Sequence, residues 1–399
     1  MRDLDDTNIL LLLIRACLNG NAEEYYERLN ADKKRKLEEI AKAYGFEPWL
    51  YRYLHKKLPE ERVDHYKNAY LGAQTWALIN RCELEKLFGL FQKNKIKYIP
   101  IKGVDLAYRL YPDAALRRFS DWDIWFHPDD FFHALDVLKD AGWKCTKDLL
   151  SAAVHIGPRT VRGESVMLFA SHHVAPFRKN KFMLEPHFTM PNFQNVDPLE
   201  LWDYTMECPT KNGAYILSPE LNLLLVTRHA ASHSYFHANL PKMLADSAAI
   251  LREPVFDHNK LLRMVQKWKM PYSGAFCAAF PDFFSQETTS SFSAEPKETE
   301  LFRKVLLNPI QDKPDNETLK TMRFRQRHSI IRNLFVYVKT SGKRVRCIYN
   351  TRDKGLSFLR LYFLYLFSET KKVLKACFRI DRQLDRHCAL VEELENYRM

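Results

Sequence analysis

Between Phe119 and His127 the chain reads FSDWDIWFH. This alternating run of aromatic, β-branched and acidic residues suits a β-strand. Successive side chains on a strand point to opposite faces, so Trp122, Ile124 and Phe126 form one apolar face, and Asp121, Asp123 and Trp125 form the other. Two carboxylates therefore project side by side. Carboxylates near the buried middle of a strand are costly unless they are paired or metal-bound. A pair in this position can hold hard divalent cations, and two such ions roughly 3.5–4 Å apart stabilise both the attacking and the leaving oxygen in phosphoryl transfer. Taken alone, an Asp-x-Asp pair also fits a solvated strand end, so the surrounding sequence has to decide.

Upstream, IKYIPIKG reads as a short buried strand closed by Gly103, and VDLAYRLY as a short helix ended by Pro112. Glycine permits close backbone approach, a helix N-terminus attracts phosphate, and Lys102 adds positive charge. Arg117, just before the acids, is placed to grip a phosphate bidentately. Downstream, His127-Pro128-Asp129 opens a helix, DDFFHALDVLKDAG, that stops at Gly142. Residues 166–177 and 182–188 are expected to form a hairpin about the polar turn RKNK. The order strand, helix, strand, helix, strands predicts a mixed α/β or α+β core of modest size.

Helical periodicity surrounds this core. Residues 1–95 read as a helical region. Leu10, Leu13, Ile14 and Cys17 share one face, a charged helix after Asp32 stops at Gly45, and a longer helix from about Asp64 to Asn94 carries Leu71, Leu78, Leu87 and Leu90. The core is expected over 96–215 and a further helical region over 216–285, including a helix near 259–269. A polar, Ser/Thr-rich linker begins at Gln286 and leads into a basic, largely helical region ending at 399. The expected fold class is thus α+β, a small mixed sheet flanked by helices.

Composition narrows the class. Hydrophobic residues make up 46% of the 399 and charged residues 28%, an ordinary globular balance. The 8 cysteines are scattered, without CxxC or zinc spacing, which favours reduced thiols and a cytoplasmic protein over a disulfide scaffold. Arg15 interrupts the apolar run near the N-terminus and Arg360 the run from Leu356 to Phe367, so neither a signal peptide nor a membrane span is expected. The net charge of +12 favours a polyanionic partner. It is concentrated late: from Lys320 to Arg346 no acidic residue interrupts nine Lys and Arg, and Phe324, Phe335 and Tyr337 lie among them. Such a segment suits single-stranded nucleic acid or an anionic membrane surface. A basic solvated helix face is the plainer alternative.

The stretch from Ile99 to Trp143 resembles a known family, the uncharacterised nucleotidyltransferases. The resemblance is carried in order by Lys102-Gly103, Tyr111-Pro112, Arg117, Asp121 and Asp123, and Gly142-Trp143. Looser similarity extends over about the first 280 residues and leaves out the basic C-terminus. The resemblance implies a DNA polymerase beta-like nucleotidyltransferase core with a third acid on a later strand. Glu185-Pro186-His187 fits the family's acid-x-His segment, so Glu185 is the candidate third carboxylate. Asp121, Asp123 and Glu185 would then be catalytic and hold Mg²⁺ or Mn²⁺. Lys102, Gly103, Arg117 and Ser120 would hold a nucleoside triphosphate, and the acceptor is unnamed. The broad superfamily has Gly-Ser or Gly-Gly at the first turn; this chain has Gly103-Val104, which weakens the expected triphosphate contact.

His229, His233 and His237 recur at helical spacing, with no Glu to complete HExxH. Together with Leu240 and Asp246, which also match the family, they read as a substrate-facing helix rather than a zinc site. His172 and His173 carry no reading of their own.

Overall fold

The structure is a computed structural model. It describes residues 6–58, 60–145, 157–161, 164–168, 172–191, 193, 196–208, 213–232 and 240–270. The expected linker and basic C-terminal region lie outside these residues.

Five helices come first: α1 (Asp6–Leu18), α2 (Ala22–Glu27), α3 (Ala31–Tyr44), α4 (Glu47–Leu54) and α5 (Glu60–Lys93). Local chemistry sets their ends. The Asn30 side chain accepts from the Lys33 N–H to cap α3, and Gly45, at φ 75°, closes it. Pro48 sits in the first turn of α4. Helices α2 and α4 were not foreseen. Leu10, Leu13, Ile14 and Cys17 pack in one cluster with Tyr26, Leu37, Trp49 and Leu50, as their spacing predicts. The long helix differs from expectation. Its buried stripe is Ala73, Ala77, Leu84, Leu87, Phe88 and Phe91, whereas Leu71 and Leu78 are 45% and 64% exposed. Two residues of offset turn a side chain about 200° round a helix, so Leu71 lies opposite Ala73, and Leu78 opposite the buried Asn80.

The sheet follows, with β1 (Tyr98–Pro100), α6 (Gly103–Arg109), a 3₁₀ turn (Ala114–Leu116), β2 (Trp122–Phe126), α7 (Phe131–Asp140) and β3 (Lys144–Cys145). Asp130 does not cap α7; its carboxylate takes the Lys97 N–H instead, at 2.9 Å. Among the described residues, strands β4 (Gly157–Val161) and β5 (Glu164–Leu168) pair only with each other. Strands β6 (Phe177–Lys179) and β7 (Phe182–His187) form a hairpin whose turn contains Asn180 at φ 53°. The turn is the expected one. The preceding strand is not continuous from 166, because residues 164–168 pair with 157–161 and Pro176 has no N–H for a ladder.

The five-stranded order is β1-β2-β7-β6-β3, with β2 and β7 parallel and the other neighbours antiparallel. After it come α8 (Pro198–Trp202), the small pair β8 (Thr205–Glu207) and β9 (Tyr215–Leu217), then α9 (Pro219–Ser232), α10 (Leu240–Leu251) and α11 (His258–Trp268). The fold is α+β.

Strand β2 is buried throughout and divides two cores. Trp122, Ile124 and Phe126 pack with Leu84, Phe91, Phe131 and Leu138 of α5 and α7. Trp125, on the other face, packs with Leu221, Leu224 and Leu244 of α9 and α10. The one polar side-chain atom of Trp122 is satisfied within its core, since Nε1 donates to Asn80 Oδ1 at 2.8 Å. Among the described residues no helix is long and apolar enough to cross a membrane. Cys17 and Cys82 are free thiols.

Candidate active site

Parallel register builds the site. Asp123 lies opposite Glu185, and Trp125 opposite His187, across β2 and β7. Because side chains two apart share a strand face, Asp121, Asp123, Glu185 and His187 all project on the Trp125 side of the sheet. His187 Nε2 stands 2.9 Å from Asp123 Oδ1 and 4.0 Å from Glu185 Oε2. One ligand atom from each of Asp123, Glu185 and His187 falls within 4.8 Å of the others, a group able to hold a metal ion. Asp121 lies outside that trio and couples to it through charge.

Lys102 and Gly103 enter from the end of β1. The Ile101 N–H donates to Asp123 O at 3.0 Å, holding the two strands together to that point. Lys102 then adopts φ 55°, ψ −127°, a conformation rare for a side chain with Cβ and costing about 1–3 kcal/mol. Its Nζ donates to Asp123 Oδ1 at 2.8 Å. Gly103 is required by close approach: a Cβ there would sit 2.5 Å from Phe119 Cβ. The Ser120 hydroxyl donates to Asp121 Oδ1 at 3.2 Å.

Three acids and one ammonium share a small, largely desolvated space. Burial would raise the Asp123 pKa, but Lys102 and the hydrogen bond from His187 outweigh it and hold the carboxyl well below the usual range. Asp121 is pushed up by burial and by repulsion from Asp123. Glu185 is pushed up to about 8, by burial first and then by Asp123 and Asp121. His187 is pushed down by burial, against the pull of Asp123. The donor set is oxygen-rich with one imidazole, its negative charge is incompletely offset, and Lys102 already supplies cationic charge at Asp123. These residues fit a divalent cation.

Of the residues expected at the site, Asp121, Asp123, Glu185, Lys102, Gly103 and Ser120 are brought together. Arg117 is not. It makes the expected bidentate grip, but on a protein carboxylate: Nε and Nη2 donate to Asp246 Oδ1 and Oδ2 at 2.6 and 2.8 Å, and Nη1 donates to Arg118 O at 2.9 Å. Arg117 is 8% exposed and Asp246 2%. A carboxylate desolvated to that degree demands a counter-charge, and Arg117 supplies it. The Tyr111 hydroxyl also donates to Asp246 Oδ1, at 2.7 Å.

His187, His173 and His172 were missed as site residues. A signal for His187 existed, since it stands two after Glu185 on the same strand face. None existed for the other two, which reach the site because residues 172–174 run antiparallel beside β7, with His173 bridged to His187. His172 stacks on His187 at 5.2 Å and 16°. His229 is half-buried, and His233 and His237 lie outside the described residues.

The sequence model of the family described as "Uncharacterised nucleotidyltransferase" matches residues 30–276. No curated protein and no solved structure matches the chain. The matched span is more than half of the 399 residues and includes every residue of the acidic site, from Lys102 to His187. The chain belongs to the uncharacterised nucleotidyltransferase family.

Proposed function

We propose that the protein is a metal-dependent nucleotidyltransferase that moves a nucleoside monophosphate from a nucleoside triphosphate to an acceptor hydroxyl or phosphate. The observation that carries this reading is the register placing Asp123 beside Glu185, with Asp121 on the same face and Lys102 on Asp123. A bound Mg²⁺ or Mn²⁺ pair would neutralise the triphosphate and stabilise charge on the attacking and leaving oxygens. Asp121, Asp123 and Glu185 are the residues that would hold it. Lys102 adds a positive charge on a rigid turn, directed at where phosphate oxygens gather charge, and Ser120 orients Asp121. In-line positioning by the walls of the site supplies the remainder of the acceleration.

Calorimetric titration with each of the four nucleoside triphosphates, with and without Mg²⁺ or Mn²⁺, tests the reading. Wild-type protein should show metal-dependent binding of at least one. The Asp121→Ala/Asp123→Ala double variant should lose it, and Asp123→Asn should lose turnover with the fold retained. Metal-dependent binding that survives in the double variant removes the assignment.

A further inference from the structure

We propose that His173 and His187 add two nitrogen donors to the carboxylate pair, so that the ion held between Asp123 and Glu185 is a first-row transition ion bound through imidazole, in preference to Mg²⁺. This rests on the metal-bearing reading of the acidic site above and goes beyond it in donor set and in class of ion.

Residues 172–174 lie antiparallel to β7, and the Val174 N–H donates to Pro186 O at 3.3 Å. In such a pair the return bond runs from the N–H of residue 186 to the Val174 carbonyl. Proline has no N–H, so that carbonyl is left to another donor. His173 Nδ1 lies 2.6 Å from it. A carbonyl only accepts, so Nδ1 carries the hydrogen, and the lone pair of the neutral ring is on Nε2. That atom stands 3.6 Å from Glu185 Oε2. A histidine whose Nδ1–H is tied to a backbone carbonyl and whose Nε2 faces a carboxylate has the arrangement that metal-binding histidines adopt.

His187 approaches from the other carboxylate. It is 0% exposed. Its Nε2 is in hydrogen-bond range of Asp123, and its Nδ1 has no hydrogen-bond partner among the described residues. Without an ion, Nε2–H donates to Asp123; ligation through Nε2 displaces that hydrogen to Nδ1, and the ring needs no reorientation, since the same Nε2 is already in the trio that can share an ion with Asp123 and Glu185. The stacked ring of His172 holds that orientation. The donors of Asp123, Glu185 and His187 thus lie within one ion's reach, and His173 Nε2 stands beside the Glu185 carboxylate. Mg²⁺ favours oxygen ligands and retains its waters, whereas Mn²⁺, Fe²⁺ and Zn²⁺ accept imidazole nitrogen.

Mn²⁺ is the probe, used on the full-length protein. Calorimetry gives its affinity and that of Mg²⁺, and pulsed electron paramagnetic resonance detects nitrogen-14 nuclei coupled to the bound ion. Wild type should show coupling to two imidazoles. His173→Gln should show one, with Mn²⁺ bound about tenfold more weakly or worse and Mg²⁺ affinity changed much less. Mn²⁺ bound without nitrogen coupling overturns the inference while the nucleotidyltransferase reading stands. Coupling to a single imidazole in wild type removes His173. Failure of wild type to bind either ion overturns both readings. If His173→Gln does not fold by circular dichroism, the nitrogen count in wild type decides alone.

Discussion

Glu185 carries the electrostatic tension of the site. Burial, with Asp123 and Asp121 close by, pushes its carboxyl up to about 8. In the unfolded chain a glutamate ionises near about 4.3. Folding therefore favours the protonated form, and the stability this contributes is present at low pH and lost as pH rises to and through about 8. In EDTA the melting temperature should fall across that window. Glu185→Gln should flatten the fall and melt above wild type at the alkaline end, because the amide never charges. Equal slopes for the two proteins would show that Glu185 is not held in this way. Lys102 makes a related trade. Its left-handed backbone is a standing cost, and the return is an ammonium on Asp123.

Helices and strands hold these residues through a few long-range ties. The Trp49 indole donates to Leu116 O at 2.9 Å, fixing the turn before β2 to α4. One residue on, Arg117 fastens the same turn to Asp246 of α10. Removing one partner of a buried pair leaves the other charge uncompensated, at about 3–5 kcal/mol. Asp246→Ala should therefore lose stability of that order in urea denaturation, and Arg117→Met/Asp246→Leu should regain most of it. If Arg117 were instead a phosphate ligand, Asp246→Ala would spare stability and Arg117→Met would mainly weaken nucleotide binding. Helix α6 is tied in the same manner. Arg109 pairs with Asp105 at 2.7 Å and also with Glu253, while Asn222 donates to Asp105 at 3.1 Å.

At the scale of the whole molecule, the described residues that build and brace the site lie between Trp49 and Glu253, within the family match. A protein ending at 285 should therefore keep the metal-dependent nucleotide binding of the full chain. The basic run from Lys320 to Arg346 lies outside the described residues, and its part in binding is a separate test. Single-stranded oligonucleotide should bind the full chain with an affinity that falls steeply with salt, by roughly 0.7 log unit per log unit of salt for each phosphate neutralised, and should bind the 1–285 protein far less. Oligonucleotide binding unaltered by the truncation would clear the basic run of that role, and liposome binding by the full chain alone would assign it to an anionic membrane surface.

Local sequence determined the elements and part of the chemistry. The strand faces of β2, the closing glycine of α3, the β6–β7 turn and the shared face of Asp121 and Asp123 follow from alternation, capping and short-range spacing, which act within a few residues. Even α5 was legible as a helix, though its buried face was not, because Ala73 and Ala77 pack only where a neighbour lies close. Tertiary structure alone decided which strand lies beside β2 and in what register, and so which side chains meet Asp123. It also decided that Arg117 pairs with Asp246, and that a carbonyl left over by Pro186 faces Nδ1 of His173. Each of these depends on groups distant in sequence meeting where water is excluded, and there the cost of an unpaired charge or an unmade hydrogen bond selects the partner.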